Sequence, residues 1–201
     1  MAEGAGADRI PTDAAGATGA TSAAAVRQRV THTIEPIFDE RSRVLILGTM
    51  PSPASRAVGF YYGHPQNRFW RVMERIFDLP DHALVENTAR RSFALAHAIA
   101  LWDVLAACRI AGASDASITD AEPNDLTRIL DAAPMQLICT TGGTAARLFR
   151  RFDGALVRER GIEHLALPST SAANARMRLD DLVEAYRPIL QPLRSGREPR
   201  Q

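Results

Sequence analysis

Apolar residues fall along this chain in two patterns, short unbroken runs and longer stretches at helical spacing, and the two alternate. Val44-Leu45-Ile46-Leu47 is an apolar run stopped by Gly48, the mark of a strand buried on both faces. Ile99-Ala100-Leu101-Trp102, Leu137-Ile138-Cys139 and His164-Leu165-Ala166-Leu167 read as three more strands. Between them, Phe69, Trp70, Met73, Ile76 and Phe77 recur at a spacing that gathers them on one helix face. Residues 90–98, 144–152 and 179–190 also read as helices. Pro123 is placed to open another through residue 133, because proline suits a first helical turn. Strands alternating with helices predict an α/β fold of three layers, αβα, around a central four-stranded, mainly parallel sheet. Ligands of such sheets bind beyond the carboxyl ends of the strands, so the segments after the first and fourth runs are where chemistry is expected.

The alternation does not reach the ends. Residues 1–25 are rich in Ala, Gly, Thr and Ser without hydrophobic periodicity, a composition that cannot bury enough apolar surface to offset its ordering entropy. They predict a disordered tail, residues 26–194 one folded domain, and residues 195–201 a flexible C-terminus. With 201 residues, 46% hydrophobic and 23% charged, the chain is long enough for one ordinary core. No apolar run approaches the ~18 residues that cross a bilayer, and no charged leader precedes an apolar stretch. Cys108 and Cys139 sit in apolar segments; two thiols build neither a disulfide framework nor an iron–sulfur site. A cytoplasmic setting without a membrane partner follows. The net charge of +1 carries no global signature of nucleic acid, though a local patch is enough for binding. All 24 basic residues are arginine. No lysine amine is therefore available to form a Schiff base on a sugar, and any base-removing chemistry here uses water as nucleophile.

Two loops hold the candidate chemistry. After the first strand come Gly48-Thr49-Met50-Pro51-Ser52 and then Gly59-Phe60-Tyr61-Tyr62-Gly63-His64-Pro65-Gln66-Asn67-Arg68-Phe69-Trp70. After the fourth comes Leu167-Pro168-Ser169-Thr170-Ser171-Ala172-Ala173-Asn174. The first sets aromatics, an amide and an arginine at the mouth of the sheet, as an enzyme that holds an extruded base requires. The second is a hydroxyl-rich turn suited to gripping phosphate.

These stretches, with Ile99 to Leu105, resemble the mismatch-specific uracil-DNA and thymine-DNA glycosylases, and more closely the hypoxanthine-DNA glycosylase branch of the uracil-DNA glycosylase superfamily. The likeness runs over residues 43–190, and the GFYYGHPQNRFW string is its specific part. It implies the uracil-DNA glycosylase-like version of the αβα fold. In the uracil-removing relatives the residue before the first-loop proline is Asp or Asn, which orients or activates water; here it is Met50. The hypoxanthine branch also lacks a polar residue there and relies on the asparagine of its HPxN segment, which corresponds to Asn67. Thr140-Thr141-Gly142-Gly143 departs from the Phe-Asn-Gly expected after the third strand.

Each candidate has a plainer role beside the functional one. Asn67 is the expected catalytic residue, and it also stands where a helix N-cap belongs. Gly48, Thr49, Met50 and Pro51 are the expected base pocket with Tyr62, which would stack on the flipped base or be a half-buried tyrosine. Phe60 suits pocket wall or core, and His64 a turn more than a proton donor to the base. Ser52, Arg68, Ser169, Thr170, Ser171 and Asn174 are the expected DNA contacts, although the hydroxyls alone would make a turn. Asp103 reads as a helix cap sooner than as a base, and Trp70 and Trp102 as core. The resemblance implies a monomeric, monofunctional DNA-deoxyinosine glycosylase of base excision repair, acting on DNA that contains deaminated bases and needing neither metal nor organic cofactor. Removal of uracil or thymine from G mismatches, a non-catalytic damaged-DNA-binding module and a flavodoxin-like small-molecule binder are the rivals.

Overall fold

A computed structural model describes residues 26–194; the expected tails at 1–25 and 195–201 lie outside the described residues. In chain order the elements are β1 (Gln28–Thr31), β2 (Val44–Gly48), α1 (Pro53–Val58), α2 (Phe69–Ile76), α3 (Asn87–Ala96), β3 (Ile99–Asp103), β4 (Leu105–Ile110), β5 (Thr119–Pro123), α4 (Thr127–Leu130), β6 (Leu137–Thr141), α5 (Gly143–Phe152), α6 (Gly154–Glu159), β7 (Glu163–Leu167), α7 (Leu179–Tyr186) and α8 (Leu190–Arg194).

The four apolar runs form one parallel sheet in the order β3-β2-β6-β7, flanked by helices as the alternation predicts. Every residue of β2, β3 and β6 is buried, whereas the edge strand β7 is half-exposed. That is why β2 and β3 read as unbroken apolar runs. Register pairs Gly48 with Asp103 and Thr141 with Leu167, so the carboxyl ends of neighbouring strands finish level and their loops open on one side.

A second sheet, antiparallel in the order β1-β4-β5, was not expected. Its outer strands are mostly exposed and are held by pairing more than by burial. It also corrects the helix expected from Pro123. Pro123 ends β5 and the helix shrinks to Thr127–Leu130. A proline without an N–H is as acceptable on an edge strand as in a first helical turn. Asn124 ties this segment to the β3–β4 corner, its N–H donating to the Val104 carbonyl at 2.8 Å and its Nδ2 to the Asp103 carbonyl at 2.9 Å. The predicted last helix is interrupted at Arg187–Ile189 by a 3₁₀ turn that holds Pro188.

Candidate functional site

A cavity of about 680 Å³ opens at the carboxyl ends of β2, β3 and β6, where ligands of parallel sheets collect. Six segments wall it: residues 48–56, the 61–67 loop, Asp103, the β4–β5 connection at 112–115, the start of α5, and the 169–174 loop. Gly48, Thr49, Met50, Pro51, Ser52, Tyr62, His64 and Asn67 all face it, as do Ser169, Thr170, Ser171 and Asn174. Phe60 and Arg68 do not.

The loop after β2 is built backward from α1. Ser52 caps that helix by accepting the Ser55 N–H at 3.1 Å, so its hydroxyl is engaged locally. The Ser55 hydroxyl in turn accepts the Gly63 N–H at 3.1 Å, which pins the second half of the loop to the first. Phe60 packs in the core, 5.9 Å from the Trp70 ring, and so is not pocket wall. Its neighbour Tyr61 sets its hydroxyl on the carbonyls of Ile34 and Glu35 at 3.0 and 3.1 Å. Tyr62 adopts a left-handed backbone (φ 52°), a conformation uncommon for a bulky residue. One face of its ring stacks on Phe69 at 3.8 Å. Its hydroxyl lies 3.3 Å from Thr141 Oγ1, and burial pushes that phenol well above its ordinary pKa.

His64 serves the turn. Its Nδ1 accepts the Gln66 N–H at 3.1 Å, and its carbonyl accepts the Asn67 N–H at 2.8 Å. Asn67 then presents its side chain in one sense only. The atom facing the Phe69 N–H at 3.0 Å must be oxygen, because that partner only donates. The Thr170 hydroxyl donates to the same oxygen at 2.8 Å. With Oδ1 twice occupied, the amide N–H groups are what Asn67 has left for a ligand. It is a helix-start residue and a cavity residue together.

Arg68 was expected on phosphate, and the structure gives it different work. Nε donates to the Thr170 carbonyl at 3.3 Å, Nη1 to that of Met177, and Nη2 to those of Ser171 and Asn174 at 2.9 Å each. Four of the five guanidinium donors thus hold the 170–177 loop against the start of α2. Thr170, 1% exposed, is inside the loop supporting Asn67 and is not on its surface. Ser169, Ser171 and Asn174 stay nearer the rim. Their groups also order the turn, as in the Asn174 Nδ2 bond to the Ser169 carbonyl at 2.9 Å. Gly142, in a left-handed conformation (φ 96°), precedes α5 and leaves its first turn without a side-chain cap; a Cβ there would come 3.3 Å from that of Ser169.

The cavity holds two carboxylates, Asp103, which the sequence offered as a helix cap sooner than as a base, and Asp115, which it did not single out. Asp103 caps no helix, as β4 follows it almost at once. Its Oδ2 lies 2.8 Å from His32 Nε2, and the two side chains are 7% and 4% exposed. The His32 Nδ1 accepts the Ile34 N–H at 3.2 Å, so the ring hydrogen is on Nε2 and donates to Asp103. Asp103 Oδ1 sits 2.2 Å from where a Gly48 Cβ would be; glycine there is a steric necessity. Burial pushes the Asp103 carboxyl up, and the His32 hydrogen bond pulls it back. Asp115 receives the Thr49 hydroxyl at 2.6 Å, and burial raises it too. An acidic residue closing a wholly apolar strand was a usable signal for Asp103. Nothing near His32 in sequence points to a partner 71 residues away.

Three comparisons bear on this geometry. The sequence profile described as "Uracil DNA glycosylase superfamily" matches residues 35–191. A protein of Methanosarcina acetivorans named hypoxanthine DNA glycosylase is 36% identical over 147 residues, which span 70% of this chain and 85% of that protein. One of the same name from Methanosarcina barkeri is 33% identical over 141 residues, spanning 70% and 86%. A solution NMR structure from M. acetivorans, described as a candidate uracil DNA glycosylase, is similar with a TM-score of 0.66 at 30% identity, over 81% of this chain and 99% of that one. Among the described residues no helix is long and apolar enough to cross a membrane.

Proposed function

Because the chain belongs to the uracil DNA glycosylase superfamily, we propose that it extrudes deaminated bases from DNA, hypoxanthine foremost, and hydrolyses their N-glycosidic bond. The names of the two Methanosarcina relatives support hypoxanthine. The observation that carries the catalytic reading is Asn67, which lines the cavity with its oxygen held by two donors, so that its amide hydrogens are the groups left for a ligand.

A flipped nucleotide enters base first, since its phosphates stay on the strand. The C1′–N9 bond breaks with its electron pair passing to the base, leaving an oxocarbenium-like sugar. Asn67 donates to the base as it gathers negative charge, while the cavity excludes bulk water and so strengthens that bond. Water then adds to C1′, and its proton ends on the departed base. With no lysine in the sequence, no lysine amine attacks C1′, and the strand is left intact at an abasic site. Ser169, Ser171 and Asn174 at the rim, with the uncapped first turn of α5, are the groups we assign to the flanking phosphates. We place the activity in the cytoplasm, where Cys108 and Cys139 stay reduced.

The test incubates duplexes carrying one inosine, uracil or xanthine with wild type and Asn67→Ala, then cleaves abasic sites with alkali. Wild type is expected to cut at inosine, and the variant to be slower by about 10²–10³, the loss typical of one donor to a developing anion. Folded wild type that releases no base sinks the reading; a fully active variant removes Asn67 from it. Uracil opposite guanine is the second reading, favoured by the description of the NMR structure, and the uracil duplex decides it.

A further inference from the structure

We propose that Asp103, locked by His32, is the residue that tells hypoxanthine and uracil from their parents adenine and cytosine: an acceptor for the ring N–H that deamination creates beside a carbonyl. The proposal rests on the glycosylase reading and states which bases it admits and why.

Three observations meet at Asp103. Its Oδ2 is occupied by His32 Nε2 at 2.8 Å, and His32 is itself fixed through Nδ1, so the carboxylate cannot turn freely. Its Oδ1 receives no hydrogen bond from the protein among the described residues, yet it lies over Gly48 and lines the cavity. It is also deep: Asp103 and Gly48 are buried, whereas Ser169, Ser171 and Asn174 are half-exposed and Ala172 and Ala173 exposed. A nucleotide entering base first brings the far edge of its base, not its sugar, to such a floor.

Asp103 Oδ1 has no donor from the protein among the described residues, and Asp103 lines the cavity, so a ligand N–H is the group that suits this oxygen. Hypoxanthine, xanthine and uracil each present a ring N–H flanked by a carbonyl, as guanine and thymine also do, so the contact tells hypoxanthine and uracil from their parents adenine and cytosine. Adenine presents a lone pair at the same ring position, which would face Asp103 acceptor to acceptor. Sites built to bond an N–H reject the analogue that lacks it far more strongly than apolar pockets reject a methylene. Asn67, left with donors, supplies the opposite polarity for carbonyl oxygens. The titratable groups around Asp103 are His32 after β1, Tyr61 and Tyr62 in the loop, and Asp115 in the β4–β5 connection. Of these His32 alone donates to it; burial raises the Asp103 carboxyl on balance and the His32 hydrogen bond opposes that rise, so His32 is the positioning residue that favours the acceptor form.

The experiment measures binding of duplexes carrying 2′-fluoro-deoxyinosine, 2′-fluoro-deoxyadenosine or a tetrahydrofuran abasic analogue, beside hypoxanthine release from inosine. Asp103→Asn should weaken inosine binding about 10–100-fold, as loss of a charged hydrogen bond does. It should narrow the inosine-to-adenine ratio and leave abasic binding unchanged. His32→Phe retains Asp103 and the ring volume but removes the donor, and its inosine-to-adenine ratio should fall as pH is lowered, because an unsupported Asp103 protonates more readily and then donates to adenine. That variant keeps the test decisive if Asp103→Asn does not fold. Equal losses on all three duplexes would mean a structural role, and slower release with unchanged inosine binding would mean a role at the sugar; either overturns the proposal. If wild type releases hypoxanthine and both variants keep its ratio, this proposal alone fails. Wild type that releases no base brings down the glycosylase reading with it.

Discussion

Replacing Arg68 with methionine separates two accounts of that residue. Methionine keeps much of the aliphatic length but leaves the carbonyls of Thr170, Ser171, Asn174 and Met177 without their shared donor. Hydrogen bonds to a charged group contribute about 1.5–3 kcal/mol each. Arg68 is only half-buried, and the loop can hydrate its carbonyls by lifting, so the four do not add. We expect a net loss of about 2–4 kcal/mol. At a urea m-value of about 2 kcal/mol/M, the unfolding midpoint falls by about 1–2 M. Lifting the loop also withdraws Thr170 from Asn67, so base release should drop even though Arg68 stands outside the cavity. Urea unfolding followed by tryptophan fluorescence reads the first effect, and single-turnover release from an inosine duplex the second. If Arg68 contacted phosphate instead, the variant would keep its midpoint and lose about one unit of slope in log affinity against log salt. That pair of results would refute the clamp.

Two further perturbations have signs set by the geometry. Gly48→Ala places a Cβ 2.2 Å from Asp103 Oδ1; overpacking of this kind destabilises by about 1–3 kcal/mol, and base release should fall below detection while the protein still melts cooperatively. Asp153 has a buried Oδ2 without a hydrogen-bond partner, and burial, with Asp125 nearby, pushes its carboxyl from 3.8 up to about 6. The folded state therefore holds this proton more tightly than the unfolded one, and the charged form destabilises the fold above pH ~6, a penalty that disappears toward pH ~4. Asp153→Ala should raise stability by about 1–2 kcal/mol at pH 8, after discounting for solvent screening. The gain should fall to about a third at pH 4.5 and vanish only below pH ~3.8, as thermal melts at pH 8 and 4.5 will show; a variant less stable at both contradicts the sign.

The parallel sheet was legible because strands covered on both faces must be apolar along their whole length, as Val44 to Leu47 and Ile99 to Trp102 are. The antiparallel sheet was not, because Thr119–Pro123 is exposed along most of its length and carries no period that burial would impose. Pro123 satisfied two environments equally well, and the choice fell to Asn124, whose partners lie across the chain. In the site, Asn67 was visible through its motif and Tyr62 through its aromaticity. For Phe60 the sequence left pocket wall and core equally open, and packing against Trp70 decides for the core, while Tyr61 reaches the carbonyls of Ile34 and Glu35. Arg68 and Asp103 share one difficulty: their roles are defined by groups more than 70 residues away, at Thr170 and His32.

The small antiparallel sheet has a consequence for how such a site can change. It delivers His32 from the end of β1 and Asp115 from the link between β4 and β5, while the four parallel strands supply the rigid frame. Substitutions there reach the cavity floor without touching the frame that keeps the protein folded. On the proposed role of Asp103, the cavity could be retuned at His32 and Asp115, which stand outside the four parallel strands, before any strand of that sheet has to change.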